Sequence, residues 1–168
     1  MSKKNNPIWS SLFRRSHHDE TREMLNFLGA SPLFCALAKK ELRHLVTIVH
    51  RRSYEEGEFV FRKGQPGAAM FIIKSGAVDI IDYDGENRNT VIATLNTEDF
   101  FGELALLDDS LRSATALVTR PTDIYAFSRT DLENLLATFP QMGMRIYQAL
   151  AIIVGTRLKA ANAQLSDQ

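Results

Sequence analysis

A chain of 168 residues with 45% hydrophobic and 24% charged residues has the make-up of one ordinary globular domain, and its composition gives no case for overall disorder. Twenty basic residues balance twenty acidic ones, so a formal net charge of zero offers no global attraction to nucleic acid. The single cysteine, Cys35, excludes an internal disulfide framework and a cysteine-cluster metal or iron–sulfur site, and is expected to be a small buried apolar residue.

Residues 1–21 read as a basic amphipathic extension, in which Ile8, Trp9, Leu12 and Phe13 recur at helical spacing among Lys3, Lys4, Arg14 and Arg15. Two readings stand. One is a peripheral anchor for a membrane surface or a partner groove; the other is an accessory turn that packs on its own domain or on a dimer mate. The shortness of the apolar face favours the second. This start has no uninterrupted apolar core before a small-residue cleavage site, and no stretch of the chain reaches the length of a bilayer span, so a cytoplasmic location is expected.

From Asp19 to Arg52 the pattern is helical throughout. Met24, Leu25, Phe27 and Leu28 form one apolar stripe that Gly29 breaks, and Ser31-Pro32 has the chemistry of a helix start. Leu33, Phe34, Leu37, Leu42, Leu45 and Val46 then supply core contacts from one or two short helices. His17, His18, His44 and His50 lack the spacing and companions of a metal site and read as surface or partly buried structural residues.

After Arg52 the texture changes to short apolar runs punctuated by glycine. Residues 58–62, 70–73, 78–83 and 90–95 read as strands, separated by Gly57, by Gly64-Gln65-Pro66-Gly67, by Ser75-Gly76 and by Asp84-Gly85. Asp84-Gly85 is the strongest hairpin signal. Strand texture returns at 114–118 and 123–127. Many short strands at this spacing imply an antiparallel sandwich, jelly roll or barrel.

Thr130-Asp131-Leu132-Glu133 is a capping box that opens a helix carrying Leu132, Leu135, Leu136 and Phe139 and stopping at Pro140. A last helix runs from about Gln141 into the 160s with Ile146, Leu150, Ile153, Val154 and Leu158 on one stripe, which either closes over the domain or pairs with the same helix of another subunit.

The stretch 100–115, FFGELALLDDSLRSAT, carries the chemistry. Gly102 lets backbone approach a ligand, and Glu103 to Leu107 have the propensity to begin a short helix whose first N–H groups face outward. Such a start attracts anions. If the strand after Arg112 folds back along this helix, one carboxylate, one guanidinium and several amides converge on a small anion that also carries hydroxyl groups. A salt bridge between Glu103 and Arg112 that merely holds a turn is the plainer alternative.

The order of helices, glycine-punctuated roll, short helix and two closing helices resembles the cyclic nucleotide-binding domain family, of the type found in catabolite activator protein and in the regulatory subunit of protein kinase A. The resemblance covers about residues 22–162 and rests on YEEGEFVFRKGQPGAAMFIIKSGAVDI at 54–80 and FGELALLDDSLRSATA at 101–116. It implies a mainly β fold with flanking helices: an antiparallel β-roll (double-stranded β-helix or jelly roll) at about 47–128, with N-terminal helices before it. A short phosphate-cassette helix and two C-terminal lid or dimer helices at about 130–162 complete it, and 163–168 form a tail.

Carried over by position, the resemblance implies that Glu103 accepts the ribose 2′-hydroxyl and Arg112 pairs with the exocyclic phosphate oxygens. Phe101, Gly102, Leu104, Ala105, Ser113 and Ala114 line the same cradle. Thr156 and Arg157 of the last helix are the polar residues placed to meet the base, with plain solvent exposure as their alternative. Members that prefer cGMP often carry threonine where Ser113 stands, and serine can hydrogen-bond either nucleotide; cAMP is expected ahead of cGMP. The family commonly has proline where this chain has Leu111, and Asp108-Asp109 set negative charge near the proposed phosphate.

The ligand is thus cAMP or cGMP, with a dinucleotide left open, and no metal or other cofactor is expected. Haem and iron–sulfur sensing are not expected, because no histidine follows Arg51 and Cys35 stands alone. In the transcription factors of the family a helix-turn-helix domain follows the long helix; with the chain ending at Gln168, direct DNA binding is not expected. The function expected is a non-enzymatic regulatory domain whose C-terminal helix moves on ligand binding against a protein partner or a homodimer mate. A nucleotide-free interaction module on the same fold is the alternative.

Overall fold

The computed structural model describes residues 7–83 and 89–166, with side chains described for 19–82 and 90–163. Helix α1 (Pro7–Ala30) and helix α2 (Lys39–Ile48) precede six strands, β1 (His50–Tyr54), β2 (Phe59–Phe61), β3 (Ala69–Tyr83), β4 (Asn89–Asn96), β5 (Phe100–Phe101) and β6 (Thr115–Ser128). A 3₁₀ helix (Glu103–Leu106) interrupts the strands, and helices α3 (Arg129–Thr138) and α4 (Pro140–Ser166) follow them. All strand pairs are antiparallel, in the order β1-β6-β3-β4, with β2 against β6 and β5 against β3. This is the antiparallel β-roll with flanking helices that the sequence predicts.

The roll is organised by β3 and β6, whose alternate residues enter two different cores. Met70, Ile72, Tyr125 and Phe127 pack with Leu28, Phe34, Leu45, Leu132, Ile146 and Leu150 of the helical layer. Phe71, Ile73, Ile124 and Ala126 point the other way, into the interior of the roll with Phe101, Val78 and Val118. Both faces of these segments are buried. That is why 70–73 and 124–127 are unbroken apolar runs rather than alternating ones.

Several boundaries differ from the sequence reading. The helical region ends at Ile48, and residues 50–54 form a strand. This strand lacks apolar alternation and is held from outside: it pairs with β6, and Asp123 accepts from Arg51 at 2.6 Å and from Ser53 at 2.5 Å. Gly29 does not break α1, which continues through Ala30. Ser31-Pro32 opens a series of turns rather than a helix; the Ser31 carbonyl accepts from Phe34 and Cys35, and α2 begins only at Lys39, where the Glu41 carboxylate caps the Ala38 N–H at 2.8 Å. Cys35 is exposed on these turns, not buried.

Ser75-Gly76 is not a break between strands. It is a bulge within β3, where the register against β6 shifts three times between Ile73 and Val78. Gly76 has φ 103°, and a Cβ there would lie 2.1 Å from Thr122 Oγ1 and 2.6 Å from the Pro121 carbonyl oxygen. The bulge also accommodates Pro121, which merges the two expected strands at 114–118 and 123–127 into the single β6. The helix cap lies two residues earlier than expected. Ser128, not Thr130, is the N-cap of α3, its Oγ accepting from the Asp131 N–H at 3.1 Å while Asp131 accepts from the Ser128 N–H.

On α4, Ile146 and Leu150 are buried, but the expected stripe does not continue to Leu158, which is 60% exposed. The Asp84-Gly85 turn and the side chains of Ile8, Trp9, Leu12 and Phe13 lie outside the described residues. Among the described residues no helix is long and apolar enough to cross a membrane.

Candidate functional site

Strand β5 sets the site. Phe100 and Phe101 pair with Ile72 and Phe71 of β3 and are buried, so the next residue leaves the sheet at a defined place. That residue is Gly102, with φ 73°, where only glycine is comfortable. A Cβ there would lie 2.6 Å from Arg112 Nη1. The 3₁₀ helix then runs for four residues, shorter than the helix expected, and the Ala105 N–H donates back to the Gly102 carbonyl at 3.2 Å. One of the amides expected to face a ligand is therefore engaged inside the turn.

Arg112 returns alongside this turn. Its own N–H donates to Gln65 O at 2.8 Å, its carbonyl accepts from Gly64 at 2.9 Å, and Leu111 bridges to Pro66. These bonds hold the segment where the family commonly uses proline. Arg112 is 9% exposed, and its side chain donates through Nη1 to Gly102 O at 3.2 Å and through Nη2 to Ala69 O at 2.7 Å. Its guanidinium lies 4.1 Å from the Phe61 ring centroid. Nε is buried without a partner, an arrangement that costs about 1–3 kcal/mol unless something else accepts from the guanidinium. Burial lowers the pKa of Arg112, and the nearby Glu103 carboxylate works in the opposite direction.

Glu103 is 8% exposed, yet its described bond is to neither Arg112 nor the 3₁₀ helix. Its Oε1 accepts from Arg157 Nη1 of α4 at 2.7 Å. Arg157 Nη2 donates to Phe100 O at 2.9 Å, and the guanidinium lies 4.5 Å from the Phe100 ring centroid. The turn-holding pair of Glu103 with Arg112 is thus replaced by a longer-range pair from the last helix.

The acidic pair does not enter the site. Asp108 accepts from the Ser110 N–H and hydroxyl at 3.1 and 2.6 Å, and these bonds hold its carboxyl below the usual carboxylate range. Asp109 pairs with Arg129 at the start of α3. Neither acid lines the cavity in front of Arg112.

That cavity measures about 530 Å³, and Phe101, Gly102, Glu103, Leu104, Ala105, Arg112, Ser113 and Ala114 all line it. Arg157 lines it as well. Thr156 does not; it is exposed, and its hydroxyl donates to Ile152 O at 2.8 Å within α4. Adjacent helical positions differ by about 100° in direction, so one enters while the other faces away.

The sequence reading missed the apolar wall made by Ile80, Ile92 and Leu95 of the roll and by Ala160 and Ala161 of α4. A signal existed for the alanines, which stand three and four residues after Arg157 and so share its face. Ile92, 60% exposed on a strand, belongs to an open cleft rather than a core. The whole arrangement offers a buried cation with a spare donor, a carboxylate and an apolar lining. Among the described residues no cluster of histidine, cysteine and acids has the make-up of a metal site.

The family model of the cyclic nucleotide-binding domain matches residues 51–139, more than half of the chain. The chain belongs to this family of regulatory domains. It is 31% identical to the Cyclic AMP receptor protein of Thermus thermophilus over 82% of this chain and 62% of that protein. It is also 28% identical to the cGMP-dependent protein kinase egl-4 of Caenorhabditis briggsae, over 77% of this chain and 18% of the kinase. The chain thus spans less than two thirds of either relative. A cyclic nucleotide-binding domain from Methylobacillus flagellatus shares the fold, with a TM-score of 0.76 and 24% identity over 89% of this chain and 85% of that one.

Proposed function

We propose that the chain is a non-enzymatic cyclic-nucleotide receptor of the cytoplasm that binds cAMP in preference to cGMP, without a metal or other cofactor. The observation that carries this reading is Arg112: a buried guanidinium facing a cavity, with two carbonyls as its acceptors and Nε without one. A phosphate oxygen is the natural acceptor for such a group, and a fork of donors matches the geometry of a phosphodiester. Glu103, an acceptor when ionised, suits a ribose 2′-hydroxyl, which can donate. The apolar wall of Ile80, Ile92 and Leu95 suits the face of a base.

Residues 22–162 form the binding domain in this reading, with Gly102, Ala105, Ser113 and Ala114 as the rest of the phosphate and ribose cradle. Serine at 113 rather than threonine supports cAMP over cGMP. Occupancy is transmitted through α4, turning near Phe139 to Gly143, to a protein partner or to a second copy of the chain. Such a signal requires the ligand to bind one arrangement of α4 more tightly than another.

Calorimetric titration of the ligand-free protein with cAMP and with cGMP tests the proposal. Saturable binding of both, tighter for cAMP, is the expected result. Absence of heat and of any thermal shift at millimolar nucleotide contradicts it. Arg157 already bonds one oxygen of the Glu103 carboxylate, and this favours one other reading, a nucleotide-free interaction module, which that result would support.

A further inference from the structure

Strand β2 has three residues, Phe59–Phe61, and strict alternation would give Phe59 and Phe61 the same surroundings. Their surroundings differ, because the register against β6 shifts within the strand: Phe59 pairs with Leu117 and Phe61 with Ala116. A bulge of this kind turns two consecutive side chains to one side. Val60 and Phe61 accordingly pack into the interior of the roll, while Phe59 is left 37% exposed with the Arg62 guanidinium 3.8 Å from its ring centroid. The bulge thereby sets the Phe61 ring against Arg112, whose guanidinium carbon lies 4.1 Å from the ring centroid.

The ring is itself held. Phe71 of β3 and Phe101 of β5 stand 5.9 and 5.8 Å from it and 5.4 Å from each other, so two rings back the one that the arginine meets. Phe71 is 5.6 Å from the guanidinium, close to the limit of a cation–π attraction, which leaves Phe61 as the main partner. Phe61 also lines the cavity.

We propose that Phe61 is a positioning residue for the ligand site, whose ring fixes the plane of the Arg112 guanidinium so that its remaining donors meet a phosphate. The inference rests on the binding reading above and adds to it what holds the cation in place. Guanidinium N–H bonds lie in the plane of the group, so Gly102 O and Ala69 O fix its rotation within the plane that the ring defines. These contacts occupy one face and two of the five N–H donors, and Nε–H keeps none of the acceptors for itself. The negative face of the ring also offsets part of the cost of burying the cation. An ammonium has no plane to stack.

The competing account makes Phe61 ordinary core filling, for which bulk matters and an aromatic face does not. The test compares the full chain as wild type, Phe61→Leu, Phe61→Met and Phe61→Tyr, by nitrogen-resolved NMR without ligand and by calorimetry with cAMP. A proton over an aromatic face is shielded, so the wild-type Arg112 Nε–H is expected upfield of the Nε–H groups of exposed arginines. Phe61→Leu is expected to move it downfield and to weaken cAMP by about fivefold, the scale of one cation–π contact. Phe61→Met does the same and serves where the leucine variant fails to fold. Phe61→Tyr keeps the face, and with it the resonance position and the affinity.

An Arg112 Nε–H that holds its position in the folded non-aromatic variants overturns the proposal. An equal loss of affinity in Phe61→Tyr also overturns it, leaving Phe61 as packing alone. No heat from the wild type overturns the binding reading and this inference with it; binding by the wild type with unchanged affinity in the non-aromatic variants overturns the inference alone.

Discussion

Arg157 Nη1 donates to Glu103 Oε1 at 2.7 Å, joining the last helix to the turn that follows β5 across 54 residues of sequence. The first half of α4 is anchored separately: Met142, Ile146 and Leu150 are buried, and Arg145 Nη1 donates to both oxygens of Glu41 at 2.6 and 2.8 Å. Beyond Val154 the helix is largely exposed. Its far half therefore meets the site through Arg157 while lying largely in solvent.

Arg112→Ala is expected to weaken cAMP by about 1.5–3 kcal/mol, the range for a charge-assisted contact, while the domain still unfolds cooperatively. Arg112→Lys does not restore affinity, because one ammonium cannot span Gly102 O, Ala69 O and a phosphate as a planar fork does. Titration calorimetry paired with thermal melting checks both statements.

Gly102→Ala separates site from fold. The variant holds alanine at φ 73°, costing about 1–2 kcal/mol, and its Cβ meets Arg112 Nη1, the far end of a flexible side chain, at 2.6 Å. Nucleotide affinity falls more than stability does. Gly76→Ala shows the opposite balance, since its Cβ meets the Pro121 carbonyl and Thr122 backbone at 2.6 Å, which cannot swing aside. Urea unfolding should show a loss of more than about 2 kcal/mol there.

How much of this was legible beforehand follows from what each residue needs around it. Gly102, Glu103 and Arg112 were readable because their chemistry is local to one stretch and unusual in combination. Strand β1 was not, since His50 to Ser53 carry no apolar alternation and become a strand through β6 and Asp123. The bulge at Ser75-Gly76 resembled a break because a glycine gives the same signal in a turn and in a bulge. No spacing rule connects Glu103 with Arg157; that pair exists only once the roll has closed and α4 has crossed it.

Asp123 makes stability depend on acid. Burial would raise its carboxyl, but the bonds from Ser53 and Arg51 outweigh this and leave it below its ordinary 3.8. A carboxyl depressed on folding contributes stability at pH values above 3.8, and that contribution is lost as the pH falls through the lower folded value. Asp123→Asn should thus cost about 1 kcal/mol at neutral pH, modest because the Arg51 side chain is 48% exposed, and the difference from wild type should shrink below pH 3.8. Urea titrations at pH 7 and in the acid range measure it.

Gly155→Ala concerns the far half of α4. A Cβ at Gly155 meets nothing within 4 Å, so the substitution should stabilise the helix by about 0.5–1 kcal/mol. Hydrogen exchange at residues 155–163 is expected to slow, and this segment should respond less to nucleotide.

Binding at the Arg112 guanidinium is tested most directly by nitrogen-resolved NMR of the Arg112 Nε–H, the buried donor that lacks a protein acceptor. Addition of cAMP is expected to move that resonance together with the amides of Gly102 and Ala105, saturating at one nucleotide per chain. If millimolar cAMP leaves the Arg112 Nε–H and the Gly102 amide where they were, the cavity between β5, Arg112 and α4 is not a cyclic-nucleotide site.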